Sequence, residues 1–289
     1  MTTKSIYSFI ENTAPPFIFK LIKRSMFYNV LKEKIKKQLR PEYTAKVNTV
    51  SFGALKDYHL FFDHTGIWQS QMLNGTYDKF IFDYISKLDL RDKTVFDIGA
   101  HIGYHSLYFS RLTGGKGKIY AIEPNIFNVE RIHINLNENP QIKNIYIKDV
   151  ALSDKISEET FIFSDNIENG TSSGGFLDSS DPLWQKEIYL NKTGFKKIIV
   201  RTITLDSLTE ENKDSVVGLL KIDVEGAENL VLEGGKKFIR TFRPIILMEI
   251  HSIFNMFEVL QTLSELSYNT TLLKKEADGR CFIACVYNQ

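Results

Sequence analysis

A short run from Asp97 to Gly103 (Asp97, Ile98, Gly99, Ala100, His101, Ile102, Gly103) follows the apolar residues Thr94–Phe96. Gly99 and Gly103 let a backbone turn tightly and approach a ligand closely. A helix starting at this turn would aim its free N–H groups at the same spot, which suits a carboxylate or a phosphate. Glu123 ends the next apolar run, at about the 20-residue spacing where an acid accepts hydrogen bonds from a ribose. Together these residues describe a nucleoside cofactor site. The glycine spacing is G-x-x-x-G behind an aspartate, not the G-x-G-x-x-G of dinucleotide sites. Asp97 would repel a pyrophosphate but could pair with the amino group of a methionine moiety. That favours S-adenosylmethionine over NAD. An NAD(P)-dependent oxidoreductase and a non-catalytic nucleotide-binding module are the alternatives, and the bland role for Asp97 is to cap the following turn.

Two further groups could supply the reaction side. Lys221, Ile222, Asp223, Val224, Glu225, Gly226, Ala227 and Glu228 place Asp223 at the end of an apolar run and Glu225 at the start of a helix. Glu225 and Glu228 would complement the helix dipole; Asp223 would face the cofactor crevice. Glu249 and His251 are two apart in a strand and so share a face. Methyl transfer to a hydroxyl requires loss of its proton, and His251 or Asp223 could be the base. Alternatively Asp223, Glu249 and His251 could hold a divalent cation that acidifies the acceptor.

These residues need a scaffold that gathers strand ends. From residue 94 onward, apolar runs alternate with helical patterns. Strands are expected at Thr94–Ile98, Lys118–Ile122, Asn144–Val150, Gly218–Asp223, Pro244–Ile250 and Phe282–Tyr287. Helices are expected at Tyr104–Leu112, from Ile126 to Leu136, at Glu225–Leu232 with Gly234 and Gly235 as stop signal, and at Ile253–Leu266 with Phe257, Leu260 and Leu263 inward. Repeated βα units imply an α/β fold with a mostly parallel sheet. Ligands then bind beyond the carboxyl ends of the strands, where strand order reverses. Before this region, short strands are expected between 42 and 64 and a helix over 77–88. Residues 164–182, rich in Ser, Asp, Asn and Gly, have loop composition and the length of a lid.

The chain has 289 residues and a formal net charge of +1. Residues 1–40 carry nine Lys or Arg against two acids, so the arm is +7 and the remainder −6. Phe17, Leu21, Tyr28, Leu31, Ile35 and Leu39 give it a helical stripe. Such an arm could lie on an anionic membrane, cap the domain, or make a homo-oligomer contact. Nucleic acid is not expected as a partner, being the poorer fit: the remainder is acidic and no reader motif occurs. Cys281 and Cys285 do not form a disulfide framework and are expected to be reduced and buried. No apolar run is long enough to span a bilayer. The expected location is cytoplasmic, with peripheral attachment to the cytoplasmic membrane face as the arm's contribution.

Six motifs, in order, carry a family resemblance: Asp97–Ser106, Glu123-Pro-Asn125, Ala151-Leu-Ser-Asp154, Thr204-Leu-Asp206, Lys221–Glu228 and Met248-Glu-Ile-His251. Together they resemble the FkbM methyltransferases. The resemblance implies a class I, Rossmann-like methyltransferase sheet, mostly parallel with an antiparallel final strand, here carrying an N-terminal helical extension. It implies S-adenosylmethionine as donor and O-methylation of a small-molecule, sugar, glycan or glycolipid-like acceptor. It assigns Asp97, Gly99, Ala100 and Gly103 to the cofactor loop and Glu123 to the ribose; His101, within the same loop, is expected to contact the cofactor as well. The adenine would pack against Lys148–Ala151, hence Asp149 and Val150. Position 101 often holds Asn in this family, and His101 departs from that. The methyltransferase domain is expected over 76–289, with a lid-like insertion at 164–182, behind an arm and short strands at 1–75.

Overall fold

Apolar runs that read as strands lie side by side at the centre of a seven-stranded sheet. The computed structural model describes residues 46–62, 67–164, 175–180 and 195–288. It opens with an antiparallel pair, β1 (Lys46–Thr49) and β2 (His59–Phe62). Helices α1 (Ile67–Leu73) and α2 (Lys79–Ile85) follow. One half of the main sheet is then wound by β3 (Thr94–Ile98), α3 (Tyr104–Thr113), β4 (Ile119–Ile122), α4 (Ile126–Asn137) and β5 (Ile145–Lys148). A second sheet comprises β6 (Ala151–Leu152), β7 (Ser157–Ser164), β8 (Phe176–Leu177) and β9 (Phe195–Ile203). The other half contains β10 (Val217–Ile222), α5 (Glu228–Glu233), α6 (Lys236–Phe242), β11 (Ile245–Ile250), α7 (Ile253–Glu265), β12 (Tyr268–Lys275) and β13 (Cys281–Tyr287).

The main sheet has the order β12-β13-β11-β10-β3-β4-β5. Neighbours from β11 to β5 are parallel, while β13 runs antiparallel between β11 and β12. Every residue of β3 and β4 is buried, as expected for strands covered by helices on both faces. Strand order reverses between β3 and β10, so the ends of these strands open the crevice. In the second sheet, β6 pairs parallel with β9, and β7 lies antiparallel between β9 and β8.

Two buried asparagines, Asn135 on α4 and Asn139 just past its end, tie the N-terminal strand pair to this domain. Asn135 accepts from the Phe61 N–H at 2.7 Å and donates to the Ile102 carbonyl at 2.8 Å. Asn139 accepts from the His59 N–H at 3.0 Å and returns a bond to the His59 carbonyl at 2.7 Å. Two amide side chains thereby satisfy backbone groups that another strand would otherwise have to pair.

Several expectations are corrected. The third strand stops at Lys148, and Ala151–Leu152 join the second sheet. The helix expected from Glu225 begins at Glu228, because Glu225 (φ 54°) and Gly226 (φ 94°) are left-handed and form a turn. Gly234 caps the end of α5, as expected, and Gly235 caps the start of α6, a further helix that was not anticipated. On α7 the buried residues are Asn255, Val259, Thr262 and Leu263, whereas Phe257 is 67% exposed and Leu260 half-buried. Strand β12 was not anticipated. Its burial pattern is mostly exposed, so it lacks an apolar run. Within the 164–182 loop, Phe176 and Leu177 are buried and pair with Ile162 and Phe161, so this part is an edge strand. The rest of that loop to 174 and from 181, and the arm at 1–40 with its membrane and oligomer expectations, lie outside the described residues. Cys281 and Cys285 are buried free thiols on β13. Among the described residues no helix is long and apolar enough to cross a membrane.

Candidate active site

The turn after β3 is shaped by close approach. Gly99 has φ 78°, and a Cβ there would sit 1.8 Å from the Asp223 carbonyl oxygen. Only glycine lets the β3 and β10 ends pass this closely. Gly103 (φ 80°) is the N-cap of α3. His101 is also left-handed, at φ 52°, a conformation that Asn and His reach more readily than most residues. This gives a physical reason for the tolerance of His at this position. The His101 N–H donates to Glu123 Oε2 at 2.8 Å, and its ring stands 5.4 Å from Trp68.

Glu123 is buried, and its Oε1 accepts from the Asn125 N–H at 3.0 Å and Asn128 Nδ2 at 3.2 Å. Burial pushes its carboxyl up to about 7, against the opposing effect of these donors and of the His101 N–H. Asp97 is fully buried, and its Oδ2 accepts from Ser106 Oγ at 2.5 Å. Its Oδ1 accepts no hydrogen bond among the described residues and lies 3.5 Å from Lys221 Nζ.

A cavity of about 320 Å³ opens at these strand ends. One end is lined by Gly99, Ala100, His101, Glu123, Val150 and Leu152; the other by Tyr77, His105, Asp223, Glu225, Glu249 and Arg280. Phe161 and Leu177 of the second sheet also border it. Of the expected cofactor residues, Asp97 and Gly103 sit behind the wall and Asp149 is exposed and off it. The expected adenine segment therefore meets the cavity through Val150 and Ala151. The residues fit the methionine and nucleoside parts of S-adenosylmethionine. Gly99 permits close backbone approach and Glu123 offers a carboxylate beside the loop, while Asp97 braces the turn from behind through Ser106 and Lys221.

At the other end, Lys221 Nζ donates to the Gly99 carbonyl at 3.1 Å and pairs with Asp223 Oδ2 at 3.2 Å. Burial favours a neutral amine, but Asp223 and Asp97 outweigh it and hold Lys221 charged. Burial likewise opposes charge on Asp223, yet Lys221 and His251 hold its carboxyl below the usual range. Arg280 Nη1 contacts Glu249 Oε1 at 2.6 Å. Burial and then Asp223 push Glu249 up to about 8, against His251 and Arg280.

His251 is 4% exposed and does not line the cavity. Its Nδ1 bonds Glu228 Oε1 at 2.8 Å, and Nε2 lies 3.4 Å from Glu225, 3.7 Å from Asp223 and 3.8 Å from Glu249. Burial alone would depress its pKa, but Glu225, Glu228 and Glu249 raise it to about 10. It is thus an imidazolium at neutral pH. Glu228, read from sequence as a dipole partner, is fully buried; it also accepts from the Gly226 N–H at 3.0 Å and from Asn255 Nδ2.

Asp223, Glu249 and His251 each offer one atom within 4.8 Å of the others, a separation that could hold a metal ion. The structure thus brings together the three residues expected on the reaction side. Sequence reasoning missed Arg280, Tyr77 and His105 on the cavity wall. Arg280 and Tyr77 come from segments with no motif. His105 sits in a quoted motif, one position past the start of α3, and that position alone signalled it.

A seven-stranded, mostly parallel sheet in this order, with a cofactor cradle after β3, defines a class I methyltransferase. The Methyltransferase FkbM domain matches residues 97–270. The chain belongs to this family and is an S-adenosylmethionine-dependent methyltransferase. It is similar to the hexuronic acid methyltransferase AglP of Haloferax volcanii, 25% identical over 212 residues, covering 73% of this chain and 77% of that protein. Among solved structures it is similar to the methyltransferase FkbM from Methylobacillus flagellatus KT, at TM-score 0.47 and 16% identity. That alignment covers 69% of this chain and 45% of the other, so this chain spans under half of that relative's length. A further similarity is to a SAM-dependent O-methyltransferase from Thermotoga maritima, at TM-score 0.46 and 12% identity, covering 90% of this chain and 82% of that one.

Proposed function

We propose that the enzyme methylates a hydroxyl of a sugar, glycan or glycolipid-like small molecule. One observation carries this: a single cavity joins the cofactor loop and Glu123 to an end lined by Asp223, Glu225, Glu249 and Arg280, beside Trp68 and Tyr77. Carboxylates and a guanidinium accept and donate to neighbouring hydroxyls, and aromatic faces cover the apolar side of a sugar ring. The name of the AglP relative, a hexuronic acid methyltransferase, supports the same acceptor class.

In this reading Gly99, Ala100, His101, Glu123 and Val150 hold the donor, and Asp97 steadies their turn from behind. S-adenosylmethionine supplies an electrophilic methyl group on a sulfonium. The chain's work is then to place a hydroxyl oxygen in line and to exclude water. Asp223 and Glu249 border the cavity and accept hydrogen bonds from acceptor hydroxyls, which turns an oxygen lone pair toward the methyl. His251, behind them, is a positioning residue: as an imidazolium it holds Glu225, Glu228, Glu249 and Asp223 in one cluster.

The test is incubation with labelled S-adenosylmethionine and a panel of neutral and acidic glycans, with methyl ethers identified by linkage analysis. Label in an ester or amine, or none at all despite bound S-adenosylhomocysteine, would reject the hydroxyl. The three convergent ligand atoms favour one second reading, a divalent cation on Asp223, Glu249 and His251. Activity that EDTA abolishes and Mg²⁺ or Mn²⁺ restores would establish it; activity indifferent to EDTA would remove it.

A further inference from the structure

A histidine and an aspartate that the acid cluster does not use face each other at the acceptor end. His105 is 8% exposed and borders the cavity. Its Nε2 has no hydrogen bond among the described residues and stands 3.4 Å from Asp78 Oδ2. A buried polar atom without a partner is costly in a settled core. The ring is walled by Tyr77, Phe82, Tyr104 and Phe109, with centroids 5.5–6.3 Å away. None of those rings can neutralise a proton. Among the described residues, the carboxylate within 4 Å of its ring is that of Asp78.

Asp78 is itself anomalous. It occupies the N-cap of α2, where an aspartate ordinarily accepts from the helix's own N–H groups. Here it makes no side-chain cap bond and is held left-handed at φ 46°, ψ 32°. Strain of this kind costs about 1–3 kcal/mol and gathers at functional sites. The backbone gives up a cap, and the carboxylate turns to His105 instead.

We propose that His105, oriented by Asp78, accepts the proton of the acceptor hydroxyl. Nε2–H faces Asp78, which leaves Nδ1 as the basic nitrogen for the cavity. As the hydroxyl oxygen forms its bond to the methyl carbon, the C–S bond pair returns to sulfur and the O–H proton passes to Nδ1. The neutral ether, the thioether and the imidazolium balance the sulfonium, the alcohol and the imidazole. The other candidates are engaged: Asp223 by Lys221, Glu249 by Arg280, and His251 away from the cavity. Hydrogen bonds of such pairs are often long before the acceptor binds and tighten in the complex. This assignment rests on hydroxyl methylation, so its test includes a measurement that needs no acceptor.

The protein labelled with ¹⁵N-histidine and saturated with S-adenosylhomocysteine is compared with D78N. The ring nitrogens of His105, assigned through H105N, are expected to show the Nε2–H tautomer in the wild type and a mixture in D78N. Identical ring shifts in both would overturn the proposal. With the sugars methylated in the panel above, H105N is expected to lose about 100-fold or more in kcat while keeping its S-adenosylhomocysteine affinity. Added imidazole should restore part of the activity of H105G. Full activity in a folded H105N, or no rescue of a folded, cofactor-binding H105G, also overturns it. A wild type that methylates none of the sugars but shows Asp78-dependent His105 signals would reject the sugar reading and leave the pair standing.

Discussion

Replacing Glu123 by glutamine isolates what the carboxylate contributes. Glu123 serves three donors, with Oε2 facing the His101 N–H and Oε1 facing Asn125 and Asn128. A glutamine has one oxygen and one NH₂. Its better orientation keeps the oxygen on the Asn125 side, so the NH₂ meets the His101 N–H head on. Leaving that N–H without an acceptor costs about 1–3 kcal/mol, and thermal unfolding should register it. The nucleoside loses a charged acceptor at the same time. A hydrogen bond to a charged group contributes about 1.5–3 kcal/mol, and about 2 kcal/mol corresponds to roughly 30-fold in affinity. Calorimetric titration with S-adenosylhomocysteine measures this directly. The pH profile adds a second check. Burial holds Glu123 near 7, so wild-type affinity should fall as the pH drops through about 7, because the protonated acid accepts fewer bonds. The E123Q profile should be flat over that range. Equal affinity of wild type and E123Q at pH 8 would refute the assignment of Glu123 to the ribose.

Three further outcomes are expected. G99A should destabilise far more than G103A: both positions carry left-handed strain of about 1–2 kcal/mol, but only at Gly99 would a Cβ meet a backbone oxygen at 1.8 Å, against a side-chain contact at 3.3 Å for Gly103. Urea unfolding of the two variants ranks them, and equal losses would contradict the close approach of the strand ends. In EDTA, thermal stability should decline from about pH 5 to pH 10. Glu249 and His251 have raised folded values of about 8 and about 10, so their contributions are complete below the ordinary values and lost as pH climbs through the folded ones. Asp223, held low, contributes the reverse sign and is lost only on acidification; a melting temperature that rises between pH 7 and 10 would overturn the cluster's charge assignment. Cys281 and Cys285 should react with a thiol reagent only on unfolding, since both are buried and burial pushes Cys285 up to about 11; rapid labelling of the native protein would show β13 to be open.

The central strands were legible because burial on both faces forces mostly apolar runs, as at Thr94–Ile98 and Ile245–Ile250, interrupted near their ends by Asp97 and Glu249. The cofactor loop was legible because left-handed backbone leaves glycine as its mark. Other features leave no such trace. An edge strand half in water, such as β12, needs no apolar run. The inward face of α7 was misread because Asn255 is buried through a bond to Glu228, a partner in another element that periodicity cannot reveal. For the same reason Glu228 looked like a surface dipole partner. Asp223, Glu249 and His251 were named from strand ends alone, since adjacent parallel strands bring their carboxyl ends together. Arg280 and Tyr77 reach the cavity from segments whose sequence gives no reason to bend toward it.

Lys221 joins the two halves of the site mechanically as well as electrostatically. It sits on β10, yet its ammonium bonds the Gly99 carbonyl of the cofactor turn and pairs with Asp97 and Asp223. A compact ammonium with three donors suits three oxygens arranged around one point, whereas a planar guanidinium would demand a fork of partners. Moving Asp223 therefore pulls on the group that steadies the Gly99 turn, and moving the turn disturbs Asp223. The missing Cβ at Gly99 is the other half of this coupling, because it lets the two strand ends come close enough for one lysine to hold both. The Gly99 turn and the Asp223 end of the cavity are thus positioned together where β3 and β10 meet, at the place where the strand order reverses.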